Sequence, residues 1–438
     1  MESKEKKRAQ FGWVMYDWAN SAFVTTVTAA VLPVYYSSVA AAELMPNLRT
    51  AYWGYTSTIA LLLVALLGPV LGAMADFSGA KKKFLTRFAV LGMIGAALLF
   101  LVKEGDWLMA SLFFILGSVG FSGANVFYDS LLPHVAEEDE RDQLSSKGFA
   151  FGYLGGGILL AINLLMIMTA PDSATTALMS RISFAMVAVW WLVFTIPLWK
   201  WVKEPERRIL KGEENFNPIQ ASFSRLAHTF GEIKKYKELF KFIIAFWLYN
   251  NGIGTIITMA TIYGTELEFS SITTIGTLLM VQFVGIPFSF LFGWLGKKIG
   301  TKKSILISLG IYSVIAIAGY FMYQEIHFWI LGFGVAMVQG GSQALSRSLF
   351  SRMLPKSQSA EFYSFFSVSE KVAGSFGPFL FGVVSTVMGG SRLSIVSLII
   401  FFIVGGYLLS RVDENEGMRV AKEEEARLVK ASALDPGA

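Results

Sequence analysis

The residues most able to do chemistry in this chain are ionisable groups set in long apolar runs. Asp17, Asp129, Arg347, Glu370 and Lys371 are of this kind. A charge held away from water is costly, so such a group marks a path for a proton, an ion or a polar solute. Polar residues recur beside them at helical steps. Asp17, Ser21, Thr25 and Thr28 follow at steps of 4, 4 and 3, with Asn20 adjacent. Ser118, Ser122, Asn125 and Asp129 form a second stripe. Asn251, Thr255 and Thr258, with Asn250 adjacent, form a third, and Gln339, Gln343 and Arg347 a fourth. Each is one face of a helix, and each face must meet protein or water rather than lipid. For a lone hydroxyl the better reading is a bond to a neighbouring helix. For the ionisable groups the functional reading leads, and the competing one is a fixed ion pair, Arg347 with Glu370.

Other chemistries are poorly served. The chain has no cysteine, which removes disulfides and thiolates and makes a zinc or iron–sulfur centre unexpected. His134, His228 and His327 are isolated and share no metal-ligand spacing. No HExxH, GxSxG or P-loop is present, so neither a polytopic membrane enzyme nor direct use of ATP is expected. No metal or cofactor is expected.

The elements that must position these residues are membrane spans. The 438 residues are 54% hydrophobic and 16% charged, against roughly 25% charged in a soluble domain. Mean hydropathy is +0.54. A bilayer core of about 30 Å takes about 20 apolar residues of helix. Twelve runs qualify: 13–37, 51–75, 84–102, 107–131, 148–170, 178–202, 239–263, 271–296, 304–323, 327–350, 362–388 and 391–411. The opening MESKEKKRAQ leads straight into a long span, so no removable leader is expected.

Basic residues set the orientation. Of 37 Lys and Arg, 31 fall on the side of the N-terminus and four, Arg49, Lys103, Arg181 and Arg392, on the other. That bias places both termini in the cytoplasm. It also accounts for the +5 net charge without a nucleic-acid partner. The one long inner loop divides the chain into a first six-span bundle at 1–202, a linker at 203–238, a second bundle at 239–411 and a tail at 412–438. Within the linker, Ile219, Phe223, Leu226, Phe230 and Ile233 share a helical face after the Asn217–Pro218 start signal. That face suits the membrane surface or the protein itself. The tail from Val412 reads as a solvated or frayed helix without chemistry.

The two bundles echo each other. GAMADFSGAKKK, with Gly72, Asp76, Gly79 and Lys81, matches GWLGKKIGTKK, with Gly293, Lys297 and Gly300, at an offset of 221 residues. DSLLP ending at Pro133 and SRMLP ending at Pro355 are 222 apart. The glycines suit a tight turn and close helix approach. Asp76 suits a helix start or a cation. The first loop resembles the signature loop of the major facilitator superfamily. A narrower resemblance covers nearly all the membrane region. YDWANSAF (Tyr16 to Phe23), LPVYY, GYLGGG (Gly152 to Gly157), ATIYGTEL (Ala260 to Leu267) and QGGSQALSRSLFSRMLP (Gln339 to Pro355) are similar to the autophagy-related vacuolar effluxers of fungi and their bacterial relatives. Two positions depart from the pattern: Lys297, where Asp is usual, and Asn251, where relatives often carry Asp.

The resemblance implies an all-α polytopic membrane protein. Its twelve transmembrane helices form two six-helix bundles related by pseudo-symmetry. Spans one, four, seven and ten then line a central cavity. Substrate-binding candidates are Asp17, Asn20, Asn125, Asn250, Asn251, Gln339, Gln343 and Arg347. Proton-coupling candidates are Asp17, Asp129 and Glu370. Gly72, Asp76, Gly79 and Lys81 would form a conformational latch, with no symmetric latch at Lys297. Trp13, Trp107 and Trp329 read as belt residues at span ends, whereas Trp18 lies deeper, where it could face the cavity. The expected activity is secondary, proton-coupled transport of a small polar solute, amino acids among the possibilities, by alternating access. The expected form is a monomer in the bilayer of a bacterial inner membrane. A non-transporting receptor or scaffold on the same fold is the alternative.

Overall fold

Backbone in a bilayer must bond to itself, and a single run can do so only as a helix. The computed structural model describes residues 3–206, 235–267, 269–373, 377, 380–381, 383–384 and 391–433, and the regular elements among them are all helical. In chain order they are α1 Lys4–Ala40, α2 Pro46–Ser78, α3 Lys81–Leu98, α4 Trp107–Ser130, α5 Arg141–Met168 and α6 Ser173–Trp201. The second series is α7 Lys237–Glu266, α8 Ser271–Ile299, α9 Thr301–Tyr320, α10 Glu325–Arg352, α11 Ser359–Ala373 and α12 Arg392–Ser410. A thirteenth helix, α13, follows at Glu414–Ala433.

Nine helices among the described residues are long and apolar enough to cross a membrane. α2, α10 and α11 stand where the other three expected spans fall. Large apolar side chains such as Leu62, Ile94, Leu112, Val189, Val314, Ile330 and Ile403 point outward. Such an apolar exterior suits lipid and not water.

Local sequence sets the helix ends. Asp172 Oδ1 accepts the Thr175 N–H at 2.8 Å, and Ser270 Oγ accepts the Thr273 N–H at 3.3 Å, so α6 and α8 begin on capping side chains. α2 ends at Gly79 with φ +62° and α8 at Gly300 with φ +97°. Both repeat glycines therefore take backbone conformations that a side chain disfavours. α1 is not uniform: its hydrogen bonding widens to π-type turns over Phe23–Ala30 and Tyr36–Ala40.

Two large hydrophobic cores and a small third cluster at Tyr263, Met322 and Phe328 result among the described residues. The first gathers Trp13, Tyr16, Phe23, Tyr128, Phe184 and Trp191 from α1, α4 and α6. The second gathers Tyr249, Tyr312, Phe350, Tyr363 and Phe402 from α7 to α12. Small residues bring helices close within them. A Cβ on Gly95 would lie 2.4 Å from Gly117 N, and one on Gly120 would lie 2.1 Å from Gly92 N, so α3 and α4 meet backbone to backbone. Gly148, Gly152, Gly155 and Gly156 of α5 make the same room for α1. Gly374, Pro378 and Gly382 lie outside the described residues.

The tail differs from expectation. α13 is docked, with Gly417, Ala421, Glu424 and Leu428 buried along one stripe. Glu425 accepts from the Ser357 N–H and hydroxyl at 3.0 and 2.8 Å. Glu424 pairs with Lys235, and Lys422 reaches Glu138 of the first bundle at 2.7 Å. The four buried positions repeat at helical spacing, and the charged composition of the segment hid them. The linker face from Ile219 to Ile233 lies outside the described residues.

Candidate functional site

Arg347, near the end of α10, is the centre of a densely bonded polar group between the two bundles. Its guanidinium is 3.1 Å from Asp129 Oδ1 and 3.4 Å from Asp17 Oδ2. Nε donates to Ser145 Oγ at 2.8 Å and Nη2 to the Ser145 carbonyl at 2.9 Å. Trp13, Tyr128 and Phe149 surround it, with ring centroids 4.8, 5.5 and 4.5 Å away. The Tyr128 hydroxyl donates to Asp17 Oδ2 at 2.9 Å. The Arg347 side chain is 7% exposed, Asp17 14% and Asp129 24%, so the carboxylates retain some access. Gly148 makes the assembly possible, since a Cβ there would lie 2.7 Å from Asp17 Oδ2 and 3.1 Å from Arg347 Nη2. Two acids and one arginine can exchange partners.

In the competing reading of these charges Arg347 pairs with Glu370. The described partners are Asp17 and Asp129, brought in by α1 and α4, while the Glu370 and Lys371 side chains lie outside the described residues. Trp13 also departs from expectation. It is fully buried, stacks on Tyr128 at 4.4 Å and donates to the Tyr128 carbonyl at 3.0 Å. Trp18 stacks on Trp190 within the first bundle instead of facing a cavity. Trp107 stacks on Tyr52, and Trp329 covers Gly276.

The remaining binding candidates separate into three places. Asn20 donates to Asn125 Oδ1 at 2.6 Å, joining α1 to α4. Asn251 is buried, donates to the Trp247 carbonyl at 2.7 Å and accepts the Gly377 N–H at 3.2 Å, as interhelical glue does. Asn250 is half-buried beside it. Gln339 lines a mainly apolar cavity of about 110 Å³ with Gln282, Ile256 and Leu331. Gln343 is half-buried one turn from Arg347. Three stripes thus meet through Asp17, Asp129 and Arg347, while Asn251 of the other bonds to Trp247 and Gly377. Helical spacing fixes the face a residue occupies, but the crossing of its neighbours fixes what that face meets.

The repeated loop sits beside His134, Lys356 and Glu425 of α13. Asp76 is buried and accepts the N–H groups of Ala360 and Glu361 at 3.2 and 2.7 Å, at the start of α11. It also pairs with Lys81 at 2.8 Å. Lys81 Nζ reaches on to Ser359 Oγ at 2.6 Å, the Lys356 carbonyl at 3.1 Å and His134 Nε2 at 3.0 Å. A Cβ on Gly72 would lie 2.5 Å from the Ala360 carbonyl oxygen. Gly79 supplies the turn between Asp76 and Lys81. Beside it, Glu204 Oε1 accepts the Lys82 N–H at 2.7 Å and caps α3. Burial raises the Glu204 carboxyl above its ordinary range, opposed by the N–H groups of Lys82 and Lys83.

A second contact occupies the equivalent place between α8 and α5. Lys297 is exposed there. Asp142 of α5 instead pairs with Arg352 at 2.7 Å and accepts from Thr301 at 2.8 Å. Arg141 Nη1 donates to the Ser351 carbonyl at 2.5 Å. The sequence reading missed Asp142, Arg352, Ser145, Tyr128 and Phe149. Arg352 carried a signal, since it lies in the repeated SRMLP. The others lie among polar or aromatic residues that no spacing singles out.

Comparisons with known proteins identify the family and the fold. A sequence profile described as "Vacuole effluxer Atg22 like" matches residues 45–422. An uncharacterised MFS-type transporter, YxiO, of Bacillus subtilis (strain 168) is 39% identical over 96% of this chain and 98% of that protein. Autophagy-related protein 22 of Coccidioides immitis (strain RS) is 23% identical over 84% of this chain and 73% of its own length. Among solved structures, the major facilitator proton:xylose symporter XylE superposes with a TM-score of 0.70 at 15% identity, covering 94% of this chain and 96% of its own. A bacterial homologue of the iron transporter ferroportin, in an outward-facing state, gives 0.65 at 13% identity over 93% and 98%.

Proposed function

The chain belongs to the Atg22-like vacuole effluxer family and has the major facilitator fold, and from that premise we propose that it is a proton-coupled secondary transporter of a small polar solute, amino acids included. The bundles 1–202 and 239–411 alternate access to the solute from the two sides of the membrane. Both termini face the cytoplasm of a bacterial cell. The arrangement described is then closed on the cytoplasmic side.

One observation carries this reading. A buried arginine of the second bundle is held by two carboxylates of the first. When the bundles separate, Asp17 and Asp129 lose their cation inside the membrane. Two bare carboxylates there are strongly disfavoured. A proton taken by either one relieves the cost, so protonation and opening to the cytoplasm are linked.

Counterflow exchange of labelled amino acids in liposomes tests the transport step. Wild type should exchange without a gradient, and accumulation should follow an imposed pH gradient. Asp17→Asn should keep exchange and lose the pH-driven accumulation. A protein that neither exchanges nor accumulates any solute would be a scaffold on a transporter fold. Orientation has its own test: in this cysteine-free chain, Asp172→Cys should react with an impermeant thiol reagent in whole cells and Asn215→Cys should not.

A further inference from the structure

Among the described residues, every group that holds the Arg347 guanidinium comes from the opposite bundle. Asp17 and Trp13 belong to α1, Tyr128 and Asp129 to α4, and Ser145 and Phe149 to α5. The first bundle therefore carries a nearly complete receptor for an organic cation, built from two carboxylates, a backbone carbonyl and three aromatic rings. Ring faces attract cations that are weakly hydrated, guanidinium and alkylammonium groups above all. A proton can neutralise Asp17 or Asp129, but it gives the rings nothing to hold.

We propose that this cage is the binding site for a cationic group, an ammonium or guanidinium, on the transported solute. Arg347 is its internal occupant while the cytoplasmic side is closed. The inference rests on the reading above, that the bundles separate. Separation withdraws Arg347 with α10 and leaves the cage to the first bundle. A solute that presents an ammonium group takes the place of the arginine and holds the molecule open to the cytoplasm. Departure of the solute from the cage, to the cytoplasm or onward between the bundles, lets Arg347 return and closes it. Solute and arginine thus compete for one set of contacts, and the competition ties occupancy to conformation.

Methylguanidinium is a suitable probe, with sodium chloride at equal ionic strength as the control. Ser146 is buried and lies across the bundle interface from Gly293, whose Cβ would sit 2.8 Å from Ser146 Cβ. A Ser146→Cys thiol in the purified full-length protein should be reached by a thiol reagent only when the bundles part. Methylguanidinium should accelerate that labelling saturably, and sodium should not. In Arg347→Ala the cage is vacant in every state. A probe at ten times its dissociation constant should then raise the folded-to-unfolded ratio about 11-fold, and Arg347→Ala with Asp17→Asn should lose the gain.

Unchanged labelling of Ser146→Cys overturns the proposal, as does an Arg347→Ala protein that folds and shows no saturable stabilisation. If Arg347→Ala does not fold, the labelling result decides alone. Counterflow of a solute with no methylguanidinium effect removes this site and leaves transport standing. Methylguanidinium binding without counterflow keeps the site and removes transport.

Discussion

The α2–α11 and α8–α5 contacts are two answers to one problem. In each, a glycine of the repeated loop lets one helix approach another across the bundle interface: Gly72 against Ala360, and Gly293 against Ser146. The charge sits differently. At α2–α11 the carboxylate, Asp76, belongs to the loop and receives the N-terminus of the facing helix. At α8–α5 the carboxylate, Asp142, belongs to the facing helix and receives Arg352 and Thr301 from the loop's own bundle. Duplication preserved the close approach and moved the acid to the other partner. Shape is therefore the shared element of the two contacts, and polar chemistry is the variable one.

This contrast ranks the contacts by strength. Asp142→Ala should have the largest effect. Its carboxylate is buried and paired with an arginine, and removing one partner of such a pair costs about 3–5 kcal/mol. At 1.4 kcal/mol per tenfold change, the closed population should fall by more than about a hundredfold. Distances between spin labels at Asp139 and Lys303, exposed on opposite bundles, report it directly. Asp76→Asn comes next. It weakens charge-assisted hydrogen bonds to the facing bundle worth roughly 1.5–3 kcal/mol, while its buried pair with Lys81 lies within the first bundle and does not part on opening, so the same distances should show a shift of about one order of magnitude. Equal responses at the two sites would mean that the location of the acid does not matter.

Glycine substitutions probe the shared element. A Cβ at Gly72 meets backbone, the Ala360 carbonyl oxygen, at 2.5 Å, whereas one at Gly293 meets Ser146 Cβ at 2.8 Å. Overpacking costs typically about 1–3 kcal/mol. Gly72→Ala should lie toward the upper end of that range, because a helix backbone yields less than a serine side chain. Gly293→Ala should perturb the closed population less, and a reversed order in the label distances would show that α11 moves more freely than α5.

What the sequence disclosed follows the same division. Periodicity and the glycine spacing located the spans, the repeat and both close approaches, because these depend on the order of residues along one helix. Asp17, Asp129 and Arg347 were legible as costly charges in apolar surroundings. Their union was not, since it needs α1, α4, α5 and α10 to cross at one level. Trp13 misled for a related reason: a tryptophan at a span end fits a lipid belt as well as it fits a buried ring beside an arginine. Asn251 was read as a site residue, and its bonds to Trp247 and Gly377 are contacts that helical spacing alone does not disclose. The docking of α13 was hidden by its charge, since Glu424 is buried and Lys422 reaches the first bundle only in three dimensions.

Lys297→Ala should do least, and its smallness is informative. Lys297 stands where the repeat places it opposite Asp76, and a symmetric latch would make it the second anchor. Its side chain is exposed, and the charge work at that contact is carried by Asp142 and Arg352. An exposed lysine gains little from a partner in water, where even a formed ion pair is worth about 0–1 kcal/mol. The label distances should therefore be unchanged in Lys297→Ala. Lys297→Asp sharpens the point, since it restores the acid that the repeat lacks. An aspartate there could receive the N–H groups at the start of α5 only if Asp142 did not already hold that position with Arg352. The double change Lys297→Asp with Asp142→Ala should then recover part of the closed population lost in Asp142→Ala alone. Recovery would show that either helix can supply the acid. If Lys297→Ala by itself opened the molecule, the asymmetry described here would not be the basis of closure.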